Sequence, residues 1–231
     1  MSLMGSKQAG NIQPFWKICI LCTVSAIGNI LLSFFINGLT KFPLYLDTVF
    51  TAAICFTAGL VPGIITGIGF PAVLTPFKYV YMLKLPVETC WVVYFFFICA
   101  LAEILLICFF HKKIKPREVE FLNNLAAGKS LPQSFIPLAV QLLTLTVLAC
   151  IVISVIGGII SYIVGLLSIP RSRYPEDTFL LGLLRNNVPQ LASAILSRIP
   201  INIVDRFIVI FGGYGISLLY RKWLGGWVTE S

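Results

Sequence analysis

Long apolar stretches separated by short polar segments constrain this chain more than any other feature of its sequence. Residues 133–168 are predominantly apolar, and residues 15–37 and 87–110 form two further stretches of the same character. A helix needs about 20 apolar residues to cross roughly 30 Å of hydrocarbon. Only 11% of the residues are charged, whereas a soluble domain carries about 25%. The sequence therefore predicts an all-α, polytopic membrane protein without a large soluble domain.

Six transmembrane helices are predicted from these stretches and from the breaks between them. The region after residue 45 divides in two, because Pro62 suits the first turn of a helix better than its middle. Residues 133–168 exceed the length of one crossing, so that helix must tilt, protrude or break near Gly157-Gly158. The predicted spans are residues 15–37, 46–60, 63–82, 87–110, 133–165 and 201–219.

Two segments outside the predicted spans have a distinct character. Residues 116–130 repeat apolar side chains every third position from Val119 to Leu125, which predicts an amphipathic helix on the cytoplasmic membrane surface. Residues 169–199 form the longest polar stretch and are predicted to be an extracytoplasmic loop. Within that loop, residues 191–196 are apolar enough to pack as a short helix.

The basic residues indicate the orientation of the chain rather than a nucleic-acid partner. The formal net charge is +8, and the 17 Lys and Arg residues lie mostly at the ends of apolar stretches, where they meet lipid phosphates. With six spans both termini share one side of the membrane. That side holds nine Lys and Arg residues, counting residues 112–129 and the two chain ends, against eight on the other. Both termini are therefore predicted to lie in the cytoplasm.

The residues needed for common kinds of catalysis do not occur in suitable patterns. The only histidine, His111, lies in a basic run, which leaves no Ser/His/Asp set and no histidine-based metal site. Residues 126–130 imitate the end of a phosphate-binding loop, but Asn123 stands where its first glycine is required. We therefore predict no enzyme activity, no cofactor and no metal.

Two acidic residues inside or at the edge of apolar stretches are candidates for function. Asp205 opens the last predicted span, and Arg185 or Arg198 is its expected partner, in a functional or a purely structural ion pair. Glu103 lies at about the same depth as Gln141, so a hydrogen bond between them would satisfy both in lipid. A proton-relay role for Glu103 is the alternative.

Small residues suggest close helix contacts in two places. Glycine recurs at every fourth position in Gly59, Gly63 and Gly67, which leaves a strip without side chains. Internal packing of the helical hairpin and docking of a partner helix both explain this strip. The first span has a second small, mildly polar face, suited to either role and formed by Cys22, Ser25, Ala26 and Asn29.

Two motifs carry a resemblance to a known family. Asp47, in Tyr45-Leu46-Asp47-Thr48, precedes the glycine strip, and it could cap the second span at the positive end of its dipole. Pro200-Ile-Asn202-Ile-Val-Asp205-Arg206 opens the last span. Together these stretches resemble the S components of energy-coupling factor (ECF) transporters, the membrane subunits that capture vitamins and related micronutrients in prokaryotes.

This resemblance implies partners and sites. In that family the first helices dock onto a coupling membrane subunit driven by two cytosolic ATPases, and outward loops with the outer halves of later helices hold the substrate. The implied coupling residues are Cys22, Ser25, Ala26, Gly59, Gly63 and Gly67. The implied substrate-binding residues are Asp47, Trp91, Tyr94, Arg185, Asn186, Asn187, Asn202 and Asp205.

Several alternatives stay open. The aromatic residues Trp91 and Tyr94 could stack on a flat heterocycle, or they could belong to an interfacial aromatic belt. A membrane ligand sensor is a rival function, which a fused cytosolic output domain would favour. A stand-alone proton-coupled carrier using Glu103 is a second rival, although the two halves of the sequence show no inverted repeat.

Overall fold

The structure is a computed structural model that describes residues 15–36, 44–77, 88–128, 130–167 and 176–225. All regular secondary structure within these residues is helical, which confirms the all-α prediction. The helices are α1 (Phe15–Phe34), α2 (Val49–Ala58), α3 (Leu60–Ile64), α4 (Phe70–Phe77), α5 (Glu88–Ala126), α6 (Leu131–Leu166), α7 (Asp177–Arg185), α8 (Gln190–Leu196), α9 (Ile199–Phe207) and α10 (Gly213–Leu224). The π-helical segments Ile65–Gly69 and Ile208–Gly212 make residues 60–77 and 199–224 two continuous helices.

Helix α2 forms the centre of the fold. It is apolar around its whole circumference, and residues 52–56 have an exposure of 0%. A helix that is apolar on every side is stable only when other elements cover it, and α1, α3, α5 and α10 do so here. α10 approaches closely because Gly213 has no side chain, since a Cβ at that position would lie 2.7 Å from the Cβ of Ala52.

Within the described part of the chain, three helices are long and apolar enough to cross a membrane, over Phe15–Phe34 in α1, Trp91–Phe121 in α5 and Ser134–Leu166 in α6. Their outward faces carry large apolar side chains that the rest of the described chain leaves uncovered. On α1, for example, Val24, Ile27 and Leu31 are 51–62% exposed and follow one face of the helix. Extended apolar surfaces of this kind are unfavourable in water and suit contact with lipid tails.

Helix α5 is longer than predicted. Residues 116–126 were expected to belong to a separate surface helix, but α5 continues through Pro116 to Ala126. Its 39 residues span about 58 Å, well beyond one bilayer crossing. The extension is anchored by packing, because Ile114 on α5 and Leu138 on α6 are completely buried in one apolar cluster. Of the predicted segment, residue 129 lies outside the described residues.

Helix α6 runs unbroken through Gly157-Gly158. The break considered at this pair is absent because the two glycines serve close packing instead. A Cβ at Gly158 would lie 2.6–2.9 Å from atoms of Ile195 in α8, and a Cβ at Gly157 would lie 2.8 Å from Nη1 of Arg198. The predicted loop 169–199 therefore contains helices, α7 and α8, and α8 matches the short helix expected at residues 191–196.

The break predicted in the second apolar region is present, but it lies at Gly59. This residue has φ of +85°, a conformation that glycine adopts without steric cost. α2 ends just before it, at Ala58, and α3 begins just after it, with Pro62 in its first turn as expected. At ten residues, α2 is about 15 Å long and too short to cross a bilayer alone.

The two described ends of the chain lie side by side. The rings of Trp16 on α1 and Trp223 on α10 are 6.5 Å apart at their centroids, in an edge-to-face arrangement. The ammonium group of Lys17 lies 5.8 Å and 5.6 Å from the centroids of these two rings. The start of α1 and the end of α10 thus lie together at one end of the helix bundle.

Candidate functional site

A cavity of about 410 Å³ opens toward the other end of the bundle. Its walls come from α1, the segment before α2, the helix 60–77, α5, α6 and the start of the last helix. Asn29 and Ser33 contribute from the second half of α1, and Asn202 and Arg206 from α9. This volume falls within the range of small-molecule sites, about 300–1,000 Å³.

Asp205 holds the segment before α2 in place. One of its carboxylate oxygens, Oδ1, accepts hydrogen bonds from the backbone N–H groups of Tyr45 (3.1 Å) and Leu46 (2.9 Å). Leu46 has a positive φ of 43°, which is strained for a branched side chain, so the carboxylate stabilises an unfavourable turn. Asp205 has an exposure of 0% and lies behind the cavity wall. Its role in this structure is to position the residues that line the cavity.

Arg206 joins the same turn to α5. Its guanidinium forms ion pairs with Glu103 and with Asp205, and Nη1 also donates to Oγ1 of Thr48 at 3.2 Å. The side chains of Arg206 and Glu103 are 5% and 3% exposed. Buried charges persist in a protein when they are paired and hydrogen-bonded in this way. The cluster therefore fixes three elements at the cavity floor.

Two predicted partnerships at this site are wrong. Glu103 pairs with Arg206 and not with Gln141, whose Oε1 has no hydrogen-bond partner among the described residues. A hydrogen bond requires the two side chains to face each other, and similar position along two helices does not ensure that. Asp205 pairs with Arg206 and not with Arg185 or Arg198. Neighbouring side chains diverge on a helix, but the long arginine side chain turns back toward Asp205.

A second polar cluster lies beside the cavity, and its members Tyr45 and Arg198 belong to the cavity wall. Glu176, immediately before α7, forms an ion pair with Arg198 and accepts a hydrogen bond from the hydroxyl of Tyr45. Arg198 also donates to Oγ of Ser161 on α6 at 2.7 Å. Its guanidinium carbon lies 5.1 Å from the ring centroid of Phe96, within range of a cation–π interaction. This cluster connects α5, α6, α7 and the segment before α2.

Asn202 and Asp47 line the cavity, as two of the predicted substrate-binding residues. Asn202 donates from Nδ2 to Oγ of Ser154 at 2.9 Å, which orients its amide against α6. Asp47 lies two residues before α2, and the residue that directly precedes α2 is Thr48, without a side-chain capping bond. Asp47 is exposed and lines the cavity, and Thr48 stands at the capping position of α2 in its place.

The aromatic part of the wall differs from the prediction. Trp91 is 66% exposed on the outer surface of α5, and the hydroxyl of Tyr94 donates to the carbonyl of Ala72 at 2.9 Å. Neither side chain lines the cavity, whereas Phe96 and Phe97 do. All four residues lie on α5, so the rotation of this helix about its axis decides which of their side chains face the cavity. The position of Trp91 agrees with the interfacial belt considered as the alternative.

Three predicted substrate-binding residues, Arg185, Asn186 and Asn187, lie at the exposed end of α7 and outside the cavity wall. The amide of Asn186 donates to the carbonyl of Gly182 at 2.8 Å, and Asn187 has a φ of 59° in the turn that follows. Asparagine tolerates this conformation better than most residues. These side chains shape the turn between α7 and α8.

The residues predicted to dock a coupling subunit mostly pack inside the chain. A Cβ at Gly63 would lie 2.5 Å from Sγ of Cys55, and one at Gly67 would lie 2.7 Å from Cγ2 of Thr51. The sequence allowed either internal packing of the hairpin or docking of a partner helix at this strip. Internal packing explains why glycine stands at these two positions. Gly59 has open space around it. The face on α1, formed by Cys22, Ser25 and Ala26, is likewise buried.

The chemistry of the cavity suits the binding of a small molecule. Its polar groups come from several helices and are held by ion pairs and hydrogen bonds, while its remaining wall is apolar and aromatic. Among the described residues, no group of three or more His, Cys, Asp or Glu side chains is placed to hold a metal ion. Sequence reasoning missed Arg206 as a site residue and considered Arg198 only as a partner of Asp205, although a charge beside apolar stretches is a recognisable signal. No family model, no curated protein and no solved structure matches the chain, so the function of the site is argued from its residues alone.

Proposed function

We propose that the chain is the substrate-binding membrane subunit of an ECF-type importer in a prokaryotic cell membrane. The observation that carries this proposal is the cavity of about 410 Å³ that opens at the end of the bundle opposite Trp16 and Trp223. In an apolar bundle, a cavity lined by Asn29, Asn202 and four charged residues requires an explanation beyond packing. Capture of a small molecule provides one.

The proposed topology has six helical segments, formed by α1, α2, residues 60–77, α5, α6 and residues 199–224. The adjacency of Trp16 and Trp223 supports an even number of crossings. Both termini lie in the cytoplasm in this proposal, and the cavity opens to the outside. Although α2 is short, it is surrounded by other helices and does not need to meet lipid along its length.

The proposed substrate is a vitamin or a related small metabolite. Phe96, Phe97 and Tyr45 supply aromatic surface in the cavity wall, which suits a flat ring system. Asp47 and Asn202 supply polar groups that would fix the orientation of such a ring. By the resemblance to the ECF family, transport would use a coupling membrane subunit and two cytosolic ATPases. The sequence itself contains no phosphate-binding loop.

A ligand that remains bound during purification tests the site. We expect native mass spectrometry of the detergent-solubilised protein to detect one small metabolite, and Asn202→Ala to lose it while the protein stays folded. Asn186→Ala is the matched control, because it removes the same kind of side chain from the exposed end of α7. Loss of the ligand in Asn186→Ala but not in Asn202→Ala would contradict the cavity and favour the α7–α8 turn.

The proteins that bind the chain distinguish a transport subunit from a ligand sensor. We expect affinity-tagged protein expressed in its native host to co-purify with a second membrane subunit and an ATPase pair. Co-purification with a kinase or another signalling output would instead identify a ligand sensor. A stand-alone proton-coupled carrier is less favoured, because Glu103 is held in an ion pair with Arg206.

A further inference from the structure

The charged groups at the cavity of about 410 Å³ include more carboxylates than guanidinium groups. At the floor, Arg206 forms ion pairs with two carboxylates, those of Glu103 and Asp205. The other arginine of the wall, Arg198, pairs with a single carboxylate, that of Glu176. Among the described residues, these two clusters therefore leave one carboxylate in excess, and that excess lies at the floor.

Two neighbouring features do not cancel this negative charge. Asp47 adds another carboxylate to the wall, although the excess at the floor does not depend on it. α2 begins directly after the wall residue Thr48, and the N-terminus of a helix is equivalent to about half a positive charge. Half a charge does not offset a whole carboxylate, so the floor favours a cation over an anion.

The nitrogen groups on the side chains of the wall already donate within the protein. Nδ2 of Asn29 donates to Oγ1 of Thr51 at 2.8 Å, and Nδ2 of Asn202 donates to Oγ of Ser154 at 2.9 Å. The two guanidinium groups bind the carboxylates described above. Because Nδ2 of Asn202 makes that bond, the part of its amide left for a ligand is the oxygen, which is an acceptor. The wall therefore matches a ligand that donates hydrogen bonds.

Aromatic rings add a second kind of site for a cation. Tyr45, Phe96 and Phe97 line the cavity. The guanidinium carbon of Arg198 lies 5.1 Å from the ring centroid of Phe96, so one ring of this wall already has a cation beside it. Aromatic faces attract positive charge. The rings that suit a flat ligand thus also suit a positive charge on that ligand.

We propose that the cavity binds a small, flat ring that carries a positive charge and N–H donors, such as an amidinium or a protonated amino-substituted heterocycle. The donors of this ligand bind the amide oxygen of Asn202 and the carboxylates at the floor, and its ring packs among the aromatic side chains. The proposal rests on the proposed function in one respect, namely that a substrate binds in this cavity. It adds the charge of that substrate.

Three compounds of nearly the same shape test the charge. Benzamidinium, benzamide and benzoate share a phenyl ring, and their substituents are positive, neutral and negative, respectively. Isothermal titration calorimetry of the purified protein in a non-ionic detergent measures the binding of each compound. We expect benzamidinium to bind about tenfold more tightly than benzamide, and benzoate to bind more weakly than benzamide.

Single-charge variants locate the effect at the cavity. Asn202→Asp adds a carboxylate to the wall and keeps the size of the side chain, so we expect the preference for benzamidinium over benzamide to rise by about tenfold. Glu103→Gln removes the excess carboxylate at the floor, so we expect this preference to fall by a similar factor. Asn186→Asp is the matched control, because it makes the same change at the exposed end of α7, outside the cavity wall. We expect it to leave the preference within about twofold of the wild type, since solvent and salt screen a charge there.

Three results would overturn the proposal. The first is binding of benzoate as tight as that of benzamidinium, and the second is a preference that stays the same in both Asn202→Asp and Glu103→Gln. The third is failure of all three compounds to bind the folded wild-type protein. Asn202→Asp keeps the test decisive even if Glu103→Gln does not fold, because it leaves the ion pair between Glu103 and Arg206 in place.

The charge of the substrate and the proposed function fail separately. An anionic metabolite in the native mass spectrum, lost in Asn202→Ala, would overturn the proposed charge and still support a binding site in the cavity. Binding of benzamidinium with the expected response to the variants would support the charge even if no metabolite remains bound during purification.

Discussion

Arg206 shows how one residue organises the cavity floor. It neutralises Glu103 from α5 and Asp205 from its own helix, and Asp205 in turn holds the backbone of Tyr45 and Leu46. Removing a single member of such a buried cluster leaves a charge without a partner, and that loss outweighs the modest net gain from the pair itself.

Arg206→Met tests this role. We expect the free energy of unfolding to fall by about 3–5 kcal/mol, because Glu103 and Asp205 then remain buried without their cation. Chemical unfolding in detergent, followed by intrinsic fluorescence, measures the change. Arg117→Met is the matched control, since Arg117 pairs with Glu120 at 2.8 Å and both side chains are half-exposed (49% and 48%). Exposed pairs contribute about 0–1 kcal/mol.

The partner residue provides a second check on the same cluster. Adding Glu103→Gln to Arg206→Met removes one of the stranded carboxylates, so we expect the double variant to be more stable than Arg206→Met alone. Equal destabilisation by Arg206→Met and Arg117→Met would contradict a buried cluster at this place. Strict additivity of Glu103→Gln and Arg206→Met would show that the two side chains do not interact.

At the scale of the elements, α6 determines where the short helix α8 packs. Gly157 and Gly158 allow Arg198 and Ile195 to lie directly against the α6 backbone. A glycine pair in an apolar helix can mark a kink or a close approach, but the sequence predicted only a tilt, a protrusion or a break of this helix. Here the helix stays continuous, so the structure uses the missing side chains for contact.

Gly158→Ala is predicted to displace α8. The added Cβ would lie 2.7 Å from the backbone Cα of Ile195, and backbone cannot yield as a flexible side chain does, so we expect a loss of about 1–3 kcal/mol in stability. Thermal unfolding in detergent measures it. Gly165→Ala on the same helix has open space around its Cβ, and we expect no loss or a slight gain from helix propensity. A loss of the same size at both positions would contradict the packing argument.

At the scale of the whole molecule, the pairing of Trp16 with Trp223 is the observation that constrains topology. In the proposed topology, the contact between these two residues at one end of the bundle corresponds to an even number of crossings. The extension of α5 beyond one bilayer length is then expected on the side of the chain ends, because Glu118 contacts Arg221.

Cysteine accessibility in oriented vesicles tests this topology. Cysteines introduced at residues 10 and 228 are predicted to react with an impermeant reagent from the same side, and Asn186→Cys from the opposite side. Glu120→Cys, on the exposed face of the α5 extension, should react from the side of the chain ends. Reaction of residues 10 and 228 from opposite sides would exclude an even number of crossings.

The sequence by itself determined the class of the protein. The apolar stretches, the all-α content and the three long helices at residues 15–37, 87–110 and 133–165 were predictable because apolar length and composition are local properties of the chain. The break before Pro62 was predictable for the same reason, although it moved to Gly59. Six membrane crossings, the ECF relationship and the coupling partners remain predictions.

Only the tertiary structure decided which polar groups meet. Glu103 and Arg206 are 103 residues apart, and their pairing depends on the rotation of two helices about their axes, which hydropathy does not encode. The same rotation placed Phe96 in the cavity wall and Trp91 outside it. The position of a residue along a helix determines how deep it lies in the membrane. Contact between two side chains also requires that each helix is rotated so that the side chains face each other, and packing against α2 and α6 sets that rotation.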